Sequence, residues 1–267
     1  MSAVTADMWK IGWKKDESAK RSATLLDRGD STMSENILEL QNLRAWYSEG
    51  QNVLSDFSLQ LRPHEVVGLI GLNGAGKTTF LKTLSGLHEG FRCDSVRLNG
   101  RPASFRDKGF KLSRYTVFAE DNSFQYFTFR EYLSYAAAAY KKELPDADRL
   151  VRGFHFEDYT GTLLKDLSTG NKKKAFLITA FALKPELLLL DEPVNGLDFQ
   201  STEYLYRLIA GYKDHGTVLF SSHILESITL TAGRVLVLED GKVRRSFEGS
   251  QISAENIREA LHDENEL

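Results

Sequence analysis

Four stretches of this 267-residue chain hold residues that could do chemistry together. The run Gly71-Leu72-Asn73-Gly74-Ala75-Gly76-Lys77-Thr78-Thr79 reads G-x-x-x-x-G-K-[ST], the pattern of a phosphate-cradling loop. Its glycines let the backbone wrap around anionic oxygens. Lys77 would reach the β- and γ-phosphates of a nucleotide, and Thr78 would offer its hydroxyl to Mg²⁺. Asp191-Glu192 follows the apolar run Leu187-Leu188-Leu189-Leu190, and Pro193 ends that strand. Adjacent carboxylates beside an apolar run are costly unless they meet a cation or a proton donor. Asp191 is placed to hold Mg²⁺ through water and Glu192 to polarise an attacking water; the alternative is a solvated strand-end turn. Two further apolar runs end in polar residues. Thr217-Val218-Leu219-Phe220 leads to Ser221-Ser222-His223, and Tyr115-Thr116-Val117-Phe118-Ala119 leads to Glu120-Asp121.

These groups can cooperate only if one sheet edge collects them. Val66-Val67-Gly68-Leu69-Ile70 is a short apolar run suited to a buried strand, and Phe80, Leu81, Leu84 and Leu87 fall at helical spacing. The glycine loop therefore joins a strand to a helix N-terminus, where free N–H groups and the positive end of the dipole favour an anion. In an open parallel sheet, ligands bind beyond the carboxyl ends of the strands. Ahead of this core, Phe57, Leu59 and Leu61 alternate with polar residues. With Ile37–Leu40 and Asn52–Leu54 they predict an antiparallel β patch. Residues from about 127 to 165 read as helix-rich. Val235–Leu238 and Val243–Phe247 flank Asp240-Gly241, a hairpin signal, and the tail from Ser253 predicts a polar helix.

One more segment gives the chain a family resemblance. Leu167-Ser168-Thr169-Gly170-Asn171, just ahead of Asp191-Glu192, resembles the L-S-G-G-Q signature of ATP-binding-cassette (ABC) proteins. Asp191-Glu192-Pro193-Val194-Asn195-Gly196-Leu197-Asp198 resembles that family's Walker B and D-loop, and His223 matches its switch histidine. Tyr47 lies 24 residues before Gly71, where the family carries an aromatic that stacks on adenine. The resemblance spans roughly residues 36 to 247. It implies an α/β fold: a P-loop NTPase core with a mainly parallel sheet, an N-terminal antiparallel β subdomain and an inserted helical subdomain at about 127–170. It implies ATP and Mg²⁺ as cofactors. Tyr47, Gly71, Asn73, Gly74, Ala75, Gly76, Lys77, Thr78 and Thr79 would bind the nucleotide. Ser168 and Gly170 would contact the ATP held by a partner copy. Thr78, Glu120 and Asp191 would serve the metal, and Glu192, His223 and Lys77 catalysis. Two departures stand out: Thr169 replaces the second signature glycine, and Glu120 stands where the family has a glutamine.

Asn171-Lys172-Lys173-Lys174 is expected to open the helix that continues through Ala175–Leu183, which is apolar nearly all round and so buried. Three lysines in a first turn oppose the helix dipole. Either an anion relieves them or their charges point into water. Phe118, Phe124, Tyr126, Phe127 and Phe129 crowd the segment around and after Glu120. At least two of these rings are expected to be exposed, where the family has its groove for a helix of a transmembrane subunit.

Composition bounds the rest. At 42% hydrophobic the chain can build a real core, and a formal net charge of −3 gives no field suited to nucleic acid. A single cysteine, Cys93, excludes an intrachain disulfide and suits a reducing compartment. No apolar run approaches the roughly 18 residues of a membrane span, and no secretory signal is evident. Residues 1–33, with six Lys/Arg, five Asp/Glu and no sustained period, read as a disordered leader ahead of a domain at 34–267. These features imply a cytoplasmic chain, peripheral on the cytoplasmic face of the membrane. It would form a homodimer or heterodimer of ATP-binding subunits on a transmembrane permease. The short helical insert and the Asn-Gly-Leu-Asp loop resemble exporter-type ATPases. The alternatives are a non-transport ABC-type ATPase acting on a ribosome or DNA, and a nucleotide-sensing module without turnover. The first usually carries a second cassette or zinc motifs; against the second, Glu192 and His223 are both present.

Overall fold

A computed structural model describes residues 36–262 of the chain. The expected leader at 1–33 and the acidic end of the tail lie outside the described residues. The chain opens with β1 (Leu38–Ser48) and β2 (Gln51–Leu61), followed by β3 (Val66–Ile70) and α1 (Lys77–Leu84). Short strands β4 (Phe91–Arg92), β5 (Ser95–Leu98) and β6 (Arg101–Pro102) come next, then α2 (Lys108–Ser113) and β7 (Arg114–Val117). A helical stretch follows with α3 (Phe129–Ala139), α4 (Asp148–Gly153) and α5 (Thr169–Leu183). The rest alternates: β8 (Leu187–Asp191), α6 (Phe199–Gly211), β9 (Thr217–Ser222), α7 (Leu225–Thr231), β10 (Arg234–Glu239), β11 (Lys242–Glu248) and α8 (Ala254–His262).

Two sheets result. The first runs β2-β1-β5-β6, with β4 beside β1, and its pairs are antiparallel. Strand β1 is longer than its apolar pattern suggests. Its register shifts between Leu40 and Leu43, beside Asn42 in the left-handed region, so alternation breaks and then resumes. The extension carries Tyr47. The second sheet runs β11-β10-β3-β9-β8-β7 and is parallel except for the β10–β11 hairpin. That hairpin turns at Asp240 and Gly241, both with positive φ, as a two-residue type I′ loop requires.

The inner strands β3, β8, β9 and β10 of the second sheet are buried on both faces, and their side chains sort by the strand period of two. Leu188 and Leu190 of β8, Val218 and Phe220 of β9, and Val235 and Val237 of β10 join one core with α3, α5 and α6. Leu187, Leu189, Leu219, Leu236 and Leu238 join a second core with α1 and the antiparallel sheet. α8 is less polar in its role than its composition suggests, since Ile257 and Ala260 are buried. Among the described residues no helix is long and apolar enough to cross a membrane.

α5 begins at Thr169, two residues before the expected Asn171, because Ser168 caps it by accepting the Asn171 N–H at 3.2 Å. Two of its lysines are buried on internal acceptors, and Lys172 is half-exposed. Lys174 is buried, with Nζ 2.6 Å from Asp198 Oδ2 and 2.9 Å from the Phe154 carbonyl oxygen. Lys173 is buried and donates to the Glu192 carbonyl oxygen at 3.1 Å. Lys172 reaches Asn122 Oδ1 at 3.3 Å. For Lys173 and Lys174, internal acceptors take the place of the expected solvent.

Candidate active site

Strands β7, β8, β9 and β3 lie side by side and parallel, so their carboxyl ends open on one edge. The glycine loop leaves β3, Ser221-Ser222-His223 ends β9, Asp191-Glu192 ends β8, and Glu120 follows β7. Gly76 stands at the N-cap of α1 with φ +105°, and a Cβ there would meet the Leu54 side chain, so only glycine fits.

At this edge six groups form one connected network. Lys77 Nζ donates to the Gly71 carbonyl at 2.7 Å and lies 3.8 Å from Glu192 Oε1. Thr78 Oγ1 donates to Asp191 Oδ2 at 2.9 Å, and Asp191 is fully buried. His223 Nδ1 lies 2.8 Å from Glu192 Oε2, so the Nδ1-protonated imidazole donates to that carboxylate. Sequence reading missed the residue that ties the Asp191 carboxylate to the Glu192 backbone. Ser221 Oγ donates to Asp191 Oδ1 at 2.7 Å and accepts the Glu192 N–H at 3.0 Å. Its signal was its place in the polar end of β9, one strand from β8.

Tyr47 is 64% exposed beside this network. Its hydroxyl accepts from Thr79 Oγ1 at 3.3 Å and its ring meets the edge of His88 at 4.8 Å. Tyr47, Asn73–Thr79 and Glu192 line an open cavity of about 380 Å³. This can take an anion on loop N–H groups, with a cation beside it and a flat ring at its rim. Among the described residues no three His, Cys, Asp or Glu side chains cluster as a metal cage. The Thr78–Asp191 pair nevertheless supplies the oxygen donors that suit Mg²⁺, which keeps several waters and takes further ligands from phosphates.

Three expected residues stand elsewhere in the chain. Glu120 is exposed, has no hydrogen-bond partner among the described residues, and lines a separate cavity of about 160 Å³ with Lys172, Lys173 and Phe176. Ser168 and Gly170 sit at the start of α5 and make no hydrogen bond to the glycine loop of their own chain. A Cβ at Gly170 would overlap the Gly196 carbonyl oxygen, so glycine is needed there for close backbone packing. Of the five crowded aromatics, Tyr126 is 75% exposed and Phe124 is also exposed, while Phe129 is buried. Phe124 packs on Phe127, Tyr132 and Tyr135.

A lysine-bearing loop at a helix N-terminus, read against a neighbouring strand's carboxylates, defines the P-loop nucleoside triphosphatases as a class. Comparison with known proteins narrows this. The ABC transporter family profile matches residues 54–195. The chain is similar to the ABC transporter ATP-binding protein AlbC of Bacillus subtilis, 33% identical over 78% of this chain and 90% of that protein. It is similar to the SkfA peptide export ATP-binding protein SkfE of the same organism, at 30% identity over 79% and 89%. Import proteins also match, among them the sulfate/thiosulfate import ATP-binding protein CysA of Shigella flexneri at 31% identity. A solved ATP-binding subunit of an ABC transporter superposes with a TM-score of 0.73 at 29% identity, covering 84% of this chain and 92% of that one. The chain therefore belongs to the ABC transporter family and is an ATP-binding, ABC-type ATPase subunit.

Proposed function

We propose that this chain powers transport, in the export direction, through a separate membrane subunit. The observation that carries the chemical part is the single network joining Lys77, Thr78, Asp191, Glu192 and His223 through Ser221. In this reading the N–H groups of Gly71–Thr79 cradle the phosphates and Lys77 faces the β/γ charge. Tyr47 stacks on the base. Thr78 and Asp191 would hold Mg²⁺, with Glu120 reaching it when the β7 loop closes, and the bound cation would supply charge neutralisation at the phosphates. Glu192 polarises the attacking water, and His223 orients the Glu192 carboxylate. Two copies, or this chain and a related one, close head to tail, so that Ser168 and Gly170 of one face the ATP of the other.

The likeness to SkfE, together with the short helical stretch between β7 and α5, supports export. The exposed rings of Phe124 and Tyr126 support a docking face for a helix of the membrane subunit, which would place the chain on the cytoplasmic side of the membrane. Purifying the chain from membranes and identifying the polypeptide that accompanies it tests this reading. A membrane-embedded polypeptide lost on Tyr126→Ser supports it; recovery with ribosomes or DNA instead would overturn it.

A further inference from the structure

Glu192 has φ +46°, a left-handed backbone region unfavourable for glutamate. Such a conformation persists only where its surroundings over-determine it, and here both polar groups of the residue are held. Its N–H donates to Ser221 Oγ at 3.0 Å, from the neighbouring strand β9. Its carbonyl accepts from Lys173 Nζ at 3.1 Å, from helix α5, and from the Asn195 N–H of its own turn at 3.2 Å. Both partners are buried, Ser221 at 0% and Lys173 at 4% exposure. Burial pulls the Lys173 ammonium down from its ordinary pKa, and the nearby charges of Asp191, Glu192 and Glu120 oppose that pull. We propose that Lys173 and Ser221 are positioning residues that clamp the Glu192 backbone from opposite sides. They thereby fix its carboxylate between Lys77 and His223. The proposal rests on the reading of Glu192 as the group that polarises water.

The test is steady-state phosphate release by the purified full chain, with kcat and KM for ATP read separately. Ser221→Ala and Lys173→Met are each made alone and in a Glu192→Gln background. Each should lower kcat about tenfold and move KM less than about twofold, since each removes one hydrogen bond to the Glu192 backbone, Ser221→Ala losing also its bond to Asp191 Oδ1. Lys173→Gln keeps a donor and should recover most of the rate. In the Glu192→Gln background, where turnover has ceased, neither substitution should weaken equilibrium ATP binding, whereas a merely structural role would weaken it in both backgrounds. Should Lys173→Met fail to fold, Ser221→Ala carries the same test. Wild-type kcat in Ser221→Ala and Lys173→Met beside an inactive Glu192→Gln overturns the clamp and leaves the role of Glu192 standing. Normal turnover by Glu192→Gln overturns that role and the clamp with it.

Discussion

Removing the carboxylate of the Lys174–Asp198 pair should destabilise the fold far more than removing its ammonium. The two ends sit in different surroundings: the Lys174 side chain is 6% exposed and that of Asp198 is 53% exposed. Asp198→Ala leaves a buried ammonium uncompensated. Breaking a buried pair in this way costs about 3 kcal/mol at the low end, the end to use here because water reaches Asp198. Asp198 also caps α6, accepting the Ser201 N–H at 2.8 Å, and loss of a cap adds about 1 kcal/mol. The expected total is roughly 4 kcal/mol. Lys174→Met keeps the volume and strands no buried carboxylate, because Asp198 retains Ser201 and solvent. Its cost is a weakened satisfaction of the Phe154 carbonyl, about 1 kcal/mol. Urea unfolding of both variants beside the wild type reads the difference. The pair also carries a pH signature. Burial opposes ionisation of Asp198, but hydrogen bonds from Lys174 and Ser201 outweigh it and hold the carboxyl well below the usual range. A carboxyl depressed in the folded state stabilises above its unfolded pKa, near 3.9. That stabilisation is lost as pH falls through the folded value. The gap between wild type and Asp198→Ala should therefore be full at neutral pH and shrink below about pH 4. A Lys174→Met variant as unstable as Asp198→Ala, or a gap that widens in acid, would refute the reasoning.

Three further outcomes follow from the same geometry. Gly170→Ala should cost roughly 1–3 kcal/mol by driving a methyl group into the Gly196 carbonyl; an unchanged urea midpoint contradicts the packing argument. Tyr126→Ser should leave stability within about 0.5 kcal/mol of wild type, because the ring is exposed, while reducing recovery of the chain with its membrane partner; equal recovery counts against the docking face. Glu120→Gln should flatten the Mg²⁺ dependence of ATPase rate, because it removes a negative charge that attracts the metal and repels free triphosphate; superimposable titrations of the wild type and this variant would take Glu120 out of the metal site.

The sequence was legible where one local rule sufficed. The Asp240-Gly241 turn followed from two residues that tolerate positive φ. The strands of the mixed sheet followed from short apolar runs, and their shared edge from the polar residues that end them. What escaped depended on partners distant in the chain. Nothing local says that Lys174 meets Asp198, or that Ser221 joins the Asp191 carboxylate to the Glu192 backbone N–H, 30 and 29 residues away. The early start of α5 was hidden because the capping bond of Ser168 is made to a backbone group. The length of β1 was hidden by its irregular register, which interrupts the period of two. Glu192 gave no sign of its left-handed backbone, since that conformation is not preferred by glutamate and is held by Ser221, Lys173 and the Asn195 N–H.

The central claim is that Glu192 works on water at a site whose phosphates are held by Lys77 and the glycine loop. Phosphate release and equilibrium ATP binding, measured together for the wild type, Lys77→Ala and Glu192→Gln, test it most directly. The account predicts that the wild type hydrolyses ATP. Lys77→Ala should lose tight binding, because the cation facing the β/γ charge is gone. Glu192→Gln should bind ATP as the wild type does, cease turnover, and accumulate as an ATP-bound dimer. Undiminished phosphate release by Glu192→Gln, or undiminished ATP affinity in Lys77→Ala, would contradict it.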